Sequence, residues 1–342
     1  MTAAPSTAPP SAVRVLDRCR ELVRPELERA VARLHPWVGE MAAYTFGWCE
    51  VGGTPATASG GKGVRQALAV LGAEAVGGPA HAGPTAAVAV ELVHAFSLLH
   101  DDIMDGDVSR RGRPTVWRAY GTGPAVLAGD ALFALAVETL AEAPAGAGGA
   151  VRLLSAALAD LVRGQADDLL FATRPWTGPE RVRPEEYRTM AEHKTGALLG
   201  CAAALGAALG GAPPATVAAL DRAGRDLGIA FQIVDDVLGI WGDPAVTGKP
   251  VHSDLRTRKK TLPVLVALDT PVARQVAGLL ESGERPDTAA ALIERAGGRA
   301  AALREARRRI AVAEAALAAV PLQAGAGGEL RALVDFLVRR EL

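Results

Sequence analysis

The stretch ELVHAFSLLHDDIMDGDVSRRGRPT, residues 91 to 115, gathers the residue types best able to do chemistry. On a helix, Asp101 and Asp105 are four apart and project from one face, His94 lies two turns earlier along that face, and Asp102 is offset to the side. Carboxylates at that spacing repel, which costs stability unless a divalent cation bridges them. For one acidic pair a solvated helix end is the ordinary explanation. The pattern recurs, however: Asp235 and Asp236 stand inside AFQIVDDVLGIWGD, residues 230 to 243, among Ile, Val, Leu and Trp with no basic residue. An unpaired carboxylate buried there would cost roughly several kcal/mol. Two acidic clusters without matching His or Cys ligands suit hard cations such as Mg²⁺, which complete their octahedra with water and substrate phosphates.

A phosphate-bearing ligand needs cations of its own, and several stand at the edges of apolar segments. Arg110 and Arg111 trail the first acidic cluster, GGKGVR puts Lys62 and Arg65 on a Gly-rich turn entering a helix, and Lys194 and Thr195 follow His193. TGKPVHSDLRTRKKT adds Lys249 and Lys259. Each alone reads as a surface residue, and GGK alone is a weak phosphate signal. Together they favour a diphosphate site.

The elements that must position these groups are helices. Strand signals are nearly absent, while Ala, Leu, Arg and Glu dominate at helical spacings. Punctuation at residues 51–63, 77–84, 112–124, 141–149, 173–184, 210–214 and 242–254 leaves segments of 15 to 30 residues. This predicts an all-α protein, a single large bundle of about ten helices around a central apolar cavity. Residues 1 to 12, rich in Pro, Ala, Ser and Thr, read as a disordered tail, and 13 to 342 as one domain. The run 195–220 is uncharged for more than 20 positions, but GGAPP interrupts it, so a buried helix, a turn and a new helix are expected in place of a membrane span.

With 37 basic and 38 acidic residues the net charge is -1, which gives no global argument for nucleic acid or an anionic membrane. Cys19, Cys49 and Cys201 are scattered and lack metal-ligand spacing, so reduced thiols in the cytoplasm are expected.

These motifs, in this order, closely resemble the trans-isoprenyl diphosphate synthases, or polyprenyl synthetases, from about residue 55 to 265. DDIMDGDVSRRGRPT is similar to the first Asp-rich motif with its Arg pair, and FQIVDDVLGIWGDPAVTGKPVHSDL to the second; GGKGVR, GQADD (164–168) and HKTG (193–196) resemble the intervening elements. The resemblance implies that Asp101, Asp105 and Asp235 hold three Mg²⁺ ions against an allylic diphosphate (dimethylallyl, geranyl or farnesyl), with Arg110, Lys194, Lys259 and Asp168 on the same side and Lys249 as a further substrate-binding residue. It places isopentenyl diphosphate against Gly61, Lys62, Arg65, His94 and Arg111. Lys194, Thr195 and Gln232 would steady the developing charge as an allylic carbocation forms and the departing pyrophosphate takes the proton. A homodimer is the family's expected assembly.

Product length should be set one helical turn, roughly 5.4 Å, below the first cluster, at Phe96 and Ser97. An aromatic followed by a small residue resembles the twenty-carbon synthases, so geranylgeranyl diphosphate is the expected product and farnesyl diphosphate the alternative. Two more distant readings are a class I terpene cyclase, which would not need a second diphosphate site, and a non-catalytic partner subunit, which would be expected to lose the first motif. Gly63 and Gln66 replace the family's usual Arg and Pro, and Gly239 replaces the third Asp of the second motif. If that third position acts mainly through water, solvent could fill it.

Overall fold

The structure, a computed structural model, describes residues 11–56, 61, 63–144, 146–244 and 250–339. The expected Lys62 and Lys249 contacts and residues 1–10 of the expected tail therefore lie outside the described residues. Among those residues the chain is helical apart from one two-stranded hairpin and an isolated bridge between Cys49 and Pro55. The described residues divide into two compact units, one drawn from 11–154, 201–221 and 319–333, the other from 155–200, 222–318 and 334–339.

In the first unit, α1 (Ala12–Val31), α3 (Val64–Ala75) and α6 (Thr122–Ala141) pack on α4 (Ala82–Met104). Val90, Leu92 and Val93 of α4 are fully buried, each such side chain contributing about 1.5–3 kcal/mol. Pro84 is tolerated because its first-turn position requires no intrahelical donor. The helix ends on Gly106, in the left-handed region at φ 68°. The Gly106 N–H donates to Ile103 O and the Asp107 N–H to Asp102 O, at 3.3 and 3.0 Å, a Schellman stop that satisfies carbonyls of the last turn. The acidic cluster is thus fixed at a terminus.

The hairpin follows at once. Strands β1 (Ser109–Arg110) and β2 (Arg113–Pro114) pair antiparallel with Arg110 opposite Arg113. The two linking residues, Arg111 and Gly112, both have positive φ, 53° and 76°, as a tight two-residue hairpin of right-handed twist requires. The uncharged run at 195–220 folds as expected, into α9 (Ala197–Leu209), a turn, and α10, which begins at Pro214. Its small residues serve close packing: a Cβ on Gly72 would lie 2.4 Å from Ala203 O. Cys19, Cys49 and Cys201 form no disulfide and are all buried, and burial pushes the Cys19 thiol up to about 12.

In the second unit, α7 (Ala147–Thr173), α8 (Pro184–Ala191) and α10 (Pro214–Trp241) carry the remaining motifs. Between α8 and α9 the backbone opens into a π-turn, Glu192–Gly196, with sequence EHKTG. Among the described residues two helices, α4 and α6, are long and apolar enough to cross a membrane by composition; 72% of the α4 window is buried, against 39% for α6.

Candidate active site

The first unit gathers one set of expected residues. Asp101 and Asp105 lie one turn apart at the end of α4, the Asp105 N–H donating to Asp101 O at 2.8 Å. Asp102 turns inward and is buried, and Arg110 closes on it with Nε at 2.7 Å and Nη2 at 2.6 Å from Oδ1. The hairpin explains this, because it folds Arg110 back over the helix end. Arg110, expected beside a diphosphate, is therefore held by a protein carboxylate in this structure.

Arg111, thrown to the other side by its left-handed backbone, lies against Gly61. A Cβ on Gly61 would meet Arg111 Nη2 at 2.6 Å, so glycine is what lets the guanidinium approach this backbone. Arg65 Nη1 stands 3.2 Å from His94 Nε2. Arginine can only donate, so that nitrogen accepts and the neutral ring carries its proton on Nδ1. Desolvation, then Arg65, Arg111 and Arg110, hold His94 well below the ordinary imidazole range. The cluster is two guanidinium groups around a neutral imidazole, suited to an anion.

Sequence reasoning missed the group that balances it. Glu91, buried on α4, interacts with Arg65 and Arg111 and accepts hydrogen bonds from the Gln66 side chain and backbone. The departure at residue 66 has a use here, since the Pro expected there has no N–H to give. One turn below Asp101, the Phe96 ring packs on Phe133 at 5.7 Å and edge-on to His100 at 4.8 Å. Ser97 Oγ donates to His94 O at 2.9 Å and occupies little space.

The second unit gathers another set. The π-turn places Lys194 Nζ 2.5 Å from Asp168 Oδ2. It also allows Thr195 Oγ1 to donate to Gln232 Oε1 at 2.7 Å. A Cβ on Gly164 would fall 2.2 Å from Lys194 N, which explains the glycine of GQADD. From Gln232 the chain of bonds continues, Nε2 donating to Asp236 Oδ1 at 3.0 Å. Tyr187 Oη and the Leu262 N–H donate to Asp236 Oδ2 at 2.5 and 3.3 Å.

Asp236 corrects an expectation. Read from sequence, the second acidic cluster as a whole suits a hard cation, whereas Asp236 is buried and held by protein donors. Burial, then the facing Asp254 carboxylate, push it up to about 8. Asp235, the residue assigned to metal, is exposed on the same helix. The solvent expected over Gly239 is also corrected: a Cβ there would lie 2.1 Å from Asp254 Oδ2, so a carboxylate occupies that space. Lys259 joins the same segment, its N–H donating to Asp254 O at 2.8 Å.

Among the described residues no group of three or more His, Cys, Asp or Glu side chains is already assembled around a cation position. Within each unit taken by itself, Asp101 and Asp105 in the first and Asp235 in the second are oxygen-only donors of the kind that suits Mg²⁺, which binds through one or two carboxylates and keeps its remaining positions for water and phosphate oxygens.

Residues 53–296 match the family model described as Polyprenyl synthetase. A (2E,6E)-farnesyl diphosphate synthase of Mycobacterium tuberculosis is 43% identical over 338 residues, covering 96% of this chain and 93% of the relative. A geranylgeranyl diphosphate synthase of the same organism is 44% identical over 336 residues, with the same coverage. Among solved structures, a polyprenyl synthetase from Streptomyces coelicolor A3(2) superimposes with a TM-score of 0.89 at 47% identity, covering 95% of this chain and 99% of that one.

Proposed function

Since this chain belongs to the polyprenyl synthetase family of trans-prenyl diphosphate synthases, we propose that it couples isopentenyl diphosphate head-to-tail to an allylic diphosphate and stops at geranylgeranyl diphosphate. In this reading residues 13 to 342 act as one catalytic domain, in a cytoplasmic homodimer. The exposed apolar residues Val126, Leu127 and Phe133 of α6 support the dimer.

The observation that carries the coupling reaction is the Arg65–His94–Arg111 cluster against Gly61. It is an anion site additional to the one expected at the acidic motifs, and a cyclase working on a single diphosphate has no use for it. Arg65 and Arg111 bind the diphosphate of isopentenyl diphosphate, with the neutral His94 beside them. Asp101, Asp105 and Asp235 are the carboxylates for three Mg²⁺ ions; when bound, these supply Lewis-acid stabilisation to the departing diphosphate. Lys194 adds a cation, and Thr195 and Gln232 present fixed dipoles to the charge that develops at the allylic carbon. The allylic C–O bond breaks, its electron pair leaves with pyrophosphate, and the alkene of the second substrate forms the new C–C bond. Loss of a proton to the pyrophosphate then restores neutrality. Apolar helix faces such as that of α4 exclude water from the cation.

Product length rests on Phe96, braced by Phe133 and His100, with the small Ser97 beside it. Farnesyl diphosphate is the second reading, because one of the similar relatives is a farnesyl synthase. Incubation with Mg²⁺, isopentenyl diphosphate and each of dimethylallyl, geranyl and farnesyl diphosphate, followed by chain-length analysis, tests both. Elongation of all three primers to twenty carbons is expected; a fifteen-carbon end point would favour the second reading, and absence of any elongation would refute the enzyme.

A further inference from the structure

The hairpin that carries Arg110 and Arg111 meets the segment leading to Gly61 at two places. Arg111, in the turn, lies against Gly61 itself, where a Cβ would fall 2.6 Å from its Nη2. Arg113, on β2 and paired with Arg110 across the ladder, reaches back to residues 44–50. Its Nη1 donates to Tyr44 O at 3.1 Å, and its Nη2 donates to Cys49 O at 2.6 Å and Glu50 Oε2 at 3.1 Å. The guanidinium carbon lies 4.0 Å from the centroid of the Tyr44 ring, and Tyr44 Oη donates to Pro114 O at 2.8 Å. One planar fork thus spans two backbone carbonyls and an aromatic face, a combination that lysine cannot supply.

The segment it holds has a ladder of its own. Tyr44 stands in α2 (Pro36–Thr45). After it, Trp48 to Ala56 folds back on itself: the Glu50 N–H donates to Thr54 O and the Ala56 N–H to Trp48 O, both at 2.8 Å, around the bridge of Cys49 and Pro55. The tip is tied separately, Glu40 Oε1 accepting from the Gly52 N–H at 2.7 Å and from Tyr120 Oη at 2.9 Å. Tyr120 ends α5 (Val116–Tyr120), and its ring meets that of Tyr44 edge to face at 5.7 Å. Ala56 precedes Gly61 by five positions, a reach of at most about 18 Å. Fixing the one limits where the other can stand.

Both terminal nitrogens of Arg113 are engaged by protein acceptors, so it is placed to support a site and not to bind an anion. We propose that Arg113 is a positioning residue for isopentenyl diphosphate: by tying Tyr44 and Cys49 to β2, it sets where Arg111 stands against Gly61. This rests on the reading of the Arg65–His94–Arg111 cluster as the site of that diphosphate. Arg110 has a separate anchor in Asp102 at the end of α4, so loss of Arg113 acts on the Gly61 side.

Equilibrium dialysis of the full-length protein measures two radiolabelled ligands one at a time, so that no turnover intervenes. One is isopentenyl diphosphate and the other farnesyl diphosphate, each with Mg²⁺. Wild type, Arg111→Gln, Arg113→Gln and Glu50→Gln are compared, with unfolding midpoints measured alongside. Arg113→Gln is expected to weaken isopentenyl diphosphate about 10- to 100-fold, as for one misplaced charge-assisted contact, and to bind farnesyl diphosphate within about twofold of wild type. Glu50→Gln, which removes an exposed ion pair and leaves both carbonyl bonds, should bind both ligands as wild type does. Arg113→Lys, which keeps the charge and loses the fork, takes the place of Arg113→Gln should that variant fail to fold, with the same separation of the two ligands expected. Weakening of both ligands alike by the folded variant, or of neither, overturns the proposal. A loss in Glu50→Gln equal to that in Arg113→Gln also overturns it. Isopentenyl diphosphate binding left intact by Arg111→Gln would instead remove the reading of the cluster itself.

Discussion

The Tyr187 hydroxyl donates a 2.5 Å hydrogen bond to Asp236 Oδ2, and both groups are buried. With Gln232 and the Leu262 N–H it completes the set of donors that makes a carboxyl group tolerable inside α10. Tyr187→Phe removes one donor and leaves the rest of the ring in place. Urea unfolding should show a loss of about 1–3 kcal/mol, with Thr195 and Gln232 displaced enough to lower turnover. An unchanged midpoint would mean that Tyr187 contributes packing alone.

Arg110 covers the buried Asp102 carboxylate. Arg110→Met should therefore destabilise the protein by about 3 kcal/mol, since it strands an acid, whereas Arg110→Met combined with Asp102→Leu should recover much of the loss. Denaturant midpoints of the two variants decide this. Equal destabilisation by both would contradict the pairing.

His94 is held neutral in the folded protein by desolvation and three guanidinium groups. The unfolded chain, with an ordinary imidazole near 6.5, binds a proton that the folded chain refuses, so stability rises with pH through that range. The His94 contribution is fully present above about pH 6.5 and is lost progressively as pH falls below it. In thermal unfolding between pH 5 and pH 8, His94→Gln should flatten this component of the slope. A variant whose slope matches wild type would place the proton elsewhere.

Phe96 is braced by Phe133 and His100, so its ring has little freedom to swing aside. Phe96→Ala should open the space one turn below Asp101 and lengthen the product by at least one five-carbon unit. Chain-length analysis after dephosphorylation reads the result. Products no longer than those of wild type would exclude Phe96 as the stop.

Much of the site was legible because helix spacing is local. His94, Phe96, Asp101 and Asp105 follow from the 3.6-residue repeat, and the Gly-Pro clusters marked the turns around α4, α9 and α10. Partners that arrive from other elements were not legible. Nothing in AFQIVDDVLGIWGD announces that Tyr187, 49 residues earlier, will bond Asp236. Nor does it announce that Asp254 will fill the space over Gly239. Glu91 hid inside an apolar helix, where only its Arg65, Gln66 and Arg111 neighbours explain it. The π-turn at Glu192–Gly196 has no propensity signature, because residue preferences do not distinguish it from an α-turn. The hairpin was missed because Arg-Gly at residues 111 and 112 is not the usual Asn-Gly signal.

The central claim is head-to-tail coupling that ends at twenty carbons. Its most direct measurement supplies purified full-length protein with Mg²⁺, radiolabelled isopentenyl diphosphate and farnesyl diphosphate, and resolves the dephosphorylated products by chain length. The account predicts conversion to geranylgeraniol with no longer product. Label remaining entirely in isopentenyl diphosphate while farnesyl diphosphate is left unconsumed would contradict it.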